Sequence, residues 1–208
     1  GGGATGKQVA SGINSIAMGY QNTANGDYSI VMGKSNTVDG PAGMAFGTDN
    51  FADAHTSFVV GEGSHAHGSS NTGAMYSIAM GEDCHTYGRG SVALGTGCVT
   101  QFIGETVVGR YNTNAAPIPA NANSVQYPSN RIFTVANGAS AGVRNNAFEI
   151  YQSGTTKLFG LSGEVVFDVS NAEVSISMAQ PQPQNFTMGP DNFGMEIGNM
   201  NPRLKLYD

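Results

Sequence analysis

The pentapeptide SIAMG at residues 15–19 recurs letter for letter at residues 77–81, with looser copies between and beyond. The glycines that close the copies, Gly19, Gly33, Gly47, Gly61, Gly81, Gly95 and Gly109, are spaced 14, 14, 14, 20, 14 and 14 residues apart. This is an internal repeat of period 14 with one six-residue insertion. The copies read SIAMG, SIVMG, GMAFG, SFVVG, SIAMG, SVALG and ETVVG. The places three and one before the glycine are almost always large and apolar, and the place between them is always Ala or Val. A second marker runs half a period out of step, at Gly12, Gly26, Gly40, Ala54, Gly68, Gly88 and Phe102. Each repeat is therefore two half-turns of about seven residues, hinged on small residues that take positive φ or admit close backbone approach.

A unit this short cannot hold a helix pair. Two strand-like pieces with two tight turns make one coil of a parallel β-solenoid, each coil hydrogen-bonded to the next. At roughly 4.8 Å per coil, seven coils give a rod about 30 to 35 Å tall. Strand alternation sends Ala17, Val31, Ala45, Val59, Ala79, Ala93 and Val107 to one face, where they suit a narrow interior. The opposite face carries Ile16, Met18, Ile30, Met32, Met44, Phe46, Phe58, Val60, Ile78, Met80, Val92, Leu94, Thr106 and Val108. Left exposed, that stripe exceeds what a monomer tolerates, so these residues are expected to form the interface of a homo-oligomer. In the alternative arrangement the large set fills the coil and the small set faces out.

Composition narrows the classes. Thirty glycines, no tryptophan and 12% charged residues do not describe an ordinary mixed domain, and the absence of a G-X-Y period excludes collagen. No window carries the i, i+3, i+4 stripe of an amphipathic helix, so the chain reads as all-β. Residues 1–109 hold eight acids against three bases within a net charge of −6, the wrong sign for a nucleic-acid groove. No apolar run approaches the ~20 residues of a membrane span, and this part of the chain is expected to be soluble. An opening of GGGATG, with neither methionine nor signal peptide, suggests a processed or excised piece of a longer protein.

The stretches NSIAMGYQNTANG (residues 14–26), YSIVMGKSNTVDG (28–40) and YSIAMGEDCHTYG (76–88) resemble the NSxAxG…SxAxG repeat of trimeric autotransporter adhesin heads of the YadA type. The resemblance covers about residues 10–112 and implies a trimer of left-handed parallel β-rolls. No neck or heptad stalk follows. Instead RIFTVANGASAGVRNNAFEIYQSGTTKLFG (131–160) looks like the segment that follows such heads in phage tail-fibre proteins and related surface fibres. There it often precedes a self-cleaving chaperone, and none is present before Asp208.

The expected organisation is a β-roll head over residues 1–112, a proline-bearing linker over 113–130, and a small β-rich trimeric fibre domain over 131–208. Within the last, VVFDV (165–169) and the alternating AEVSISM (172–178) read as a hairpin, followed by the polyproline-type connector QPQPQ (180–184) and further short strands. A β-sandwich or an interwoven β-prism would clamp the trimer.

Candidate chemistry is sparse. His65 and His67 form an HxH pair in the insertion; three copies on a trimer axis would offer six imidazoles to an octahedral metal, resembling HxH pairs in some phage fibre tips. Both lie on the strand facing away from the apolar stripe, which favours solvated histidines, and no cofactor is expected. His85 shares the register of His65. Cys84 and Cys98 occupy one place in consecutive coils, in a column with Asn22, Asn36, Asn50, Ser64 and Asn112 that is expected to point inward and satisfy the turn backbone. Their spacing allows a disulfide, but free thiols are favoured in a reducing cytoplasm. Asp39 and Asp53 share a register, with Asp27 nearby. Two carboxylates could serve a glycan-cleaving tailspike, but a surface column of acids reads as solvated charge, and no enzyme is expected.

The expected role is a structural and attachment segment of a homotrimeric phage or algal-virus tail or capsid fibre on the virion surface. The alternative is an autotransporter adhesin head on a bacterial surface. Expected partners are two further copies, neighbouring fibre or virion proteins, and a host cell-surface receptor, with glycan favoured by analogy. Regular coils are scaffold, so a receptor site is expected where the repeat is interrupted, at residues 62–76, with Phe51, His55, His65, His67, Tyr76, Tyr87 and Arg89 around it.

Overall fold

The computed structural model describes residues 7–68, 75–114 and 124–159. The chain divides into two compact units, residues 1–166 and 167–208, and every described residue belongs to the first. The expected hairpin, connector and later strands beyond residue 164 lie outside the described residues, as do residues 69–74 of the insertion and 115–123 of the expected linker.

The described residues contain strands and turns and no helix. Two-residue strands Val9–Ala10, Thr23–Ala24, Thr37–Val38, Phe51–Ala52, His65–Ala66, His85–Thr86 and Val99–Thr100 stack in that order into a seven-stranded parallel sheet. Five-residue strands Ile16–Tyr20, Ile30–Lys34, Met44–Thr48, Phe58–Glu62, Ile78–Glu82, Val92–Thr96 and Thr106–Arg110 stack into a second parallel sheet. Register is in phase throughout: Gly19 pairs with Gly33, Gly33 with Gly47, Gly47 with Gly61, Gly61 with Gly81, Gly81 with Gly95 and Gly95 with Gly109. The chain is thus a parallel β-solenoid of 14-residue coils, and the strands on either side of the six-residue insertion pair in the same register as the others.

Between the sheets lies a core one side chain deep. Val31, Ala45, Val59, Ala79, Ala93 and Val107 from the long strands meet Ala24, Val38, Ala52 and Ala66 from the short ones, all with no solvent exposure. The small set is inside, as the narrow coil requires, and the alternative with the large set inside is excluded. At the fifth and sixth coils the interior turns polar. Thr86 donates to Ser77 at 3.0 Å, and Thr100 pairs with Ser91 at 2.6 Å, so the buried hydroxyls satisfy one another.

The two glycine columns work differently. Gly33 sits at φ +120°, and a Cβ there would lie 2.1 Å from the carbonyl oxygen of Gly47. Gly26 has ordinary φ, but a Cβ would come within 2.2 Å of the Gly40 oxygen, so only close approach demands glycine there. The left-handed turn residues are elsewhere and mostly not glycine: Asn14, Tyr28, Ala42, Thr56 and Tyr76 at one corner, Gln21, Ser35, Asp49 and Asp83 at the other.

The inward column of Asn22, Asn36 and Asn50 binds coil to coil. The Asn36 side-chain amide donates to the carbonyls of Met32 (3.1 Å) and Gly47 (2.7 Å), while its oxygen accepts the Asn50 backbone N–H (3.0 Å). Cys84 and Cys98 take the same place as free, buried thiols, donating to the carbonyls of Gly95 and Gly109 at 3.2 Å each.

The sheet does not stop at the seventh coil. Arg131–Asn137 adds a parallel strand beside Thr106–Arg110, and Asn146–Tyr151 and Thr156–Leu158 follow antiparallel, making ten strands. Residue 131, expected to open a separate domain, therefore begins a further rung of the same sheet. Thr134 takes the interior register of Val107, fully buried, and Phe133 and Val135 extend the outward column of Thr106 and Val108.

This junction is sealed by buried charge. Phe102 fills the place that glycine or alanine holds in every earlier coil, and Glu105 replaces the serine five of them carry. The Glu105 carboxylate accepts the backbone N–H of Gln101 and Phe102 at 2.6 and 3.1 Å. Arg131, 2% exposed, places its Nε 3.0 Å from Glu105 Oε1, as an ion pair too poorly aligned for a hydrogen bond. Its Nη1 donates to the Thr113 carbonyl (2.8 Å) and to Glu149 Oε1 (3.2 Å), and the guanidinium lies over the Phe102 ring at 5.6 Å. Burial pushes the Glu105 carboxyl above its ordinary range against the pull of Arg131 and the two amides. Burial also acts upward on Glu149, but hydrogen bonds from Tyr151, Asn146 and Arg131 outweigh it and hold that carboxyl below the usual range.

Candidate functional site

Because the core is shared between the sheets, each sheet has one outward face. On the long-strand sheet that face is the apolar stripe. Ile16 (47% exposed), Met18 (53%), Met32 (39%), Met44 (37%) and Met80 (38%) are open to solvent in the single chain. Ile30, Phe46, Phe58, Val60, Ile78, Val92, Leu94 and Val108 are half-buried, and Phe46 meets Phe58 edge-to-face at 5.8 Å along the stripe.

The short-strand sheet presents two outward columns, four and six places after each glycine. In the third to fifth coils these read Phe51, His65, His85 and Asp53, His67, Tyr87. The ladder that pairs His65 with His85 brings three imidazoles of one chain together, with ligand-capable atoms all within 4.8 Å of one another. His67 Nε2 lies 2.9 Å from His85 Nδ1, and His85 Nε2 lies 3.1 Å from Asp83 Oδ1. His65 Nε2 is buried, makes no hydrogen bond, and faces Asp53 Oδ1 at 3.4 Å. Aromatic rings close the patch: Tyr87 stacks on His67 at 4.0 Å and 9°, and Phe51 meets His65 edge-on at 4.6 Å.

The electrostatics follow from this crowding. Burial and the neighbouring His65 and His85 hold His67 down to about 4, so its ring is neutral at pH 7. Burial alone would raise Asp53, but His65 and the Gly68 N–H overcome it and hold the carboxyl low and ionised. The site is therefore three imidazoles flanked by two carboxylates, Asp53 beside His65 and Asp83 beside His85.

Of the residues expected around the insertion, Phe51, His65, His67 and Tyr87 share this face. His55, Tyr76 and Arg89 do not; they lie on the neighbouring turns, where the Tyr76 N–H donates to the His55 carbonyl at 2.9 Å and Arg89 sits 5.8 Å over the Tyr76 ring. The HxH pair belongs to the sheet opposite the apolar stripe, so a six-imidazole site on an axis through that stripe is excluded. His85, Asp53 and Asp83 were the partners that spacing alone left unassigned to a site. The signal was present, since His85 shares the register of His65 and Asp53 stands one coil before His67. Among the other acids, Asp39 accepts from Asn25 at 2.8 Å and Asp27 from the Ile13 N–H at 2.8 Å; they bind coil to coil.

Residues 10–36 and 74–97 match the model of the YadA head domain repeat, in two copies that together span about a quarter of the chain. Strand register carries the same repeat through the coils between and after them. The matched repeat is an adhesin-type structural module and not an enzyme family. No curated protein matches the chain.

Proposed function

We propose that this chain is a structural and attachment segment of a homotrimeric surface fibre. The observation that carries the reading is the apolar stripe: a column of Ile, Met, Phe, Val and Leu that the fold sets on the outer face of one sheet, while the inward places of the same seven strands hold only Ala and Val. Covering such a column needs a surface with the same rise per rung, and a second and third copy of this chain have it. Fully burying one Met or Ile is worth about 1.5–3 kcal/mol. A dozen shared among three chains exceeds the cost of association. The match to the YadA head repeat supports the same assembly, and supports surface adhesion as its purpose.

Attachment then works by avidity. Three chains on a stiff rod present three copies of each short-strand face outward, converting weak contacts into firm ones. The resemblance of residues 131–160 to phage fibre segments favours a virion tail or capsid fibre. The head-repeat match favours the bacterial surface as the second reading. In either, Phe51, Tyr87, Tyr76, Arg89 and His55 are the residues offered to a receptor.

Binding of the fluorescently labelled chain to candidate host cells tests this. Alanine at Phe51, Tyr87 and Arg89 together should lower cell binding by at least about 10-fold without changing the mass of the assembly, and a monomeric stripe variant should lose about 100-fold through lost avidity. Unchanged binding by the triple variant would remove this short-strand face and the turn beside it as the receptor site.

A further inference from the structure

We propose that His65, His67 and His85, together with Asp53, form a transition-metal site of the zinc class within each chain, on the face away from the apolar stripe. The inference is independent of the attachment reading and rests on four observations. First, donor atoms of a tetrahedral site with metal–nitrogen bonds of about 2.0–2.1 Å lie roughly 3.3 Å apart. His65 Nε2 and Asp53 Oδ1 already stand 3.4 Å apart, and His67 Nε2 and His85 Nδ1 need to open only slightly from 2.9 Å.

Second, His65 Nε2 is buried with only the Asp53 carboxylate before it, 3.4 Å away and outside hydrogen-bond geometry, a gap that a metal held by both would fill. Third, Asp83 Oδ1 accepts a hydrogen bond from His85 Nε2–H at 3.1 Å, which leaves His85 Nδ1 as the lone-pair nitrogen on the side of His67. A carboxylate behind a ligating imidazole is the usual outer support of a zinc histidine. Fourth, His65 and His85 stand on ladder strands and His67 and Asp53 directly follow such strands, the backbone fixed by His65 N–H to the Cys84 carbonyl at 2.8 Å and His67 N–H to the Thr86 carbonyl at 2.9 Å, with Tyr87 and Phe51 packed on the rings.

The donor set selects the ion. Three imidazoles and one carboxylate suit Zn2+, Co2+, Ni2+ or Cu2+ and are poor for Mg2+ or Ca2+, which demand oxygen. On binding, the hydrogen that His67 Nε2 shares with His85 moves to His67 Nδ1, and all three rings ligate as neutral imidazoles. A trimer would carry three such sites, each complete within one chain.

The test is calorimetric titration of the tag-free full chain with Zn2+ after dialysis against EDTA, alongside the visible spectrum with Co2+. The expected result is one saturable Zn2+ per chain with micromolar or tighter affinity, and Co2+ bands of a four-coordinate site. His67→Gln and His85→Gln should each weaken Zn2+ by more than about 100-fold, Asp83→Asn by about 10-fold, and His55→Gln not at all. Thermal melts without metal establish that each variant is folded. Absence of saturation, affinity unchanged in folded His67→Gln, or a Co2+ spectrum of the six-coordinate aqueous ion would each overturn the proposal. Zn2+ binding lost in a monomeric but folded stripe variant would overturn its placement within one chain. None of these outcomes bears on cell binding, so the two readings fail separately.

Discussion

Asn36 stands where a coil must bury two carbonyls and an N–H at its corner, and its side chain meets all three. Asn36→Ala leaves these groups dry and unpaired, and should cost about 3 kcal/mol in urea unfolding at constant m-value. Asn36→Cys should cost roughly half as much, because Cys84 and Cys98 show a thiol donating to the next coil's glycine carbonyl from this place. Equal losses for the two variants would contradict the account of this column. The column was legible in the sequence because it is periodic and one residue type suits its task. The left-handed corner was not. Tyr28, Ala42 and Thr56 share positive φ although nothing chemical unites them. Their conformation is imposed by the preceding coil, whose Ile13, Asp27 and Pro41 carbonyls accept their N–H groups at 2.7, 2.8 and 2.9 Å. A conformation dictated by a neighbouring coil leaves no mark on residue type.

At the scale of elements, the junction after the seventh coil is held by one buried cation between two buried carboxylates. Removing it should strand both. Arg131→Met is expected to destabilise the chain by about 3–5 kcal/mol, and adding Glu105→Ser, which restores the residue of the other coils, should recover at least ~1 kcal/mol. If the double variant is no more stable than Arg131→Met in a thermal melt, the pair is not the seal. Sequence carried half of this. Phe102 and Glu105 break two registers within one coil, which marks a coil that packs against something new. What it meets lies beyond an aperiodic stretch, where no spacing points to Arg131. The histidine cluster was half legible for a related reason: the HxH pair is local, whereas His85 and Asp53 join it only through ladder register across an insertion and a coil.

For the whole molecule, the repeat fixes a chain whose interior takes only small side chains, and its large apolar residues must then find burial outside it. The alternation separates the two sets but leaves open which one faces inward; burial of the Val and Ala column decides it. The C-terminal strands extend the stripe through Phe133 and Val135. Alternation in RIFTV hinted at a strand, but its register with the repeat is set by pairing and not by any shared motif. Light scattering of the purified chain and of Met32→Asp, at the middle of the exposed methionines, tests the central claim most directly. The account predicts a wild-type mass near three times 21.5 kDa and a collapse to a single chain in the variant. A folded wild-type monomer, with that stripe open to water, would contradict it.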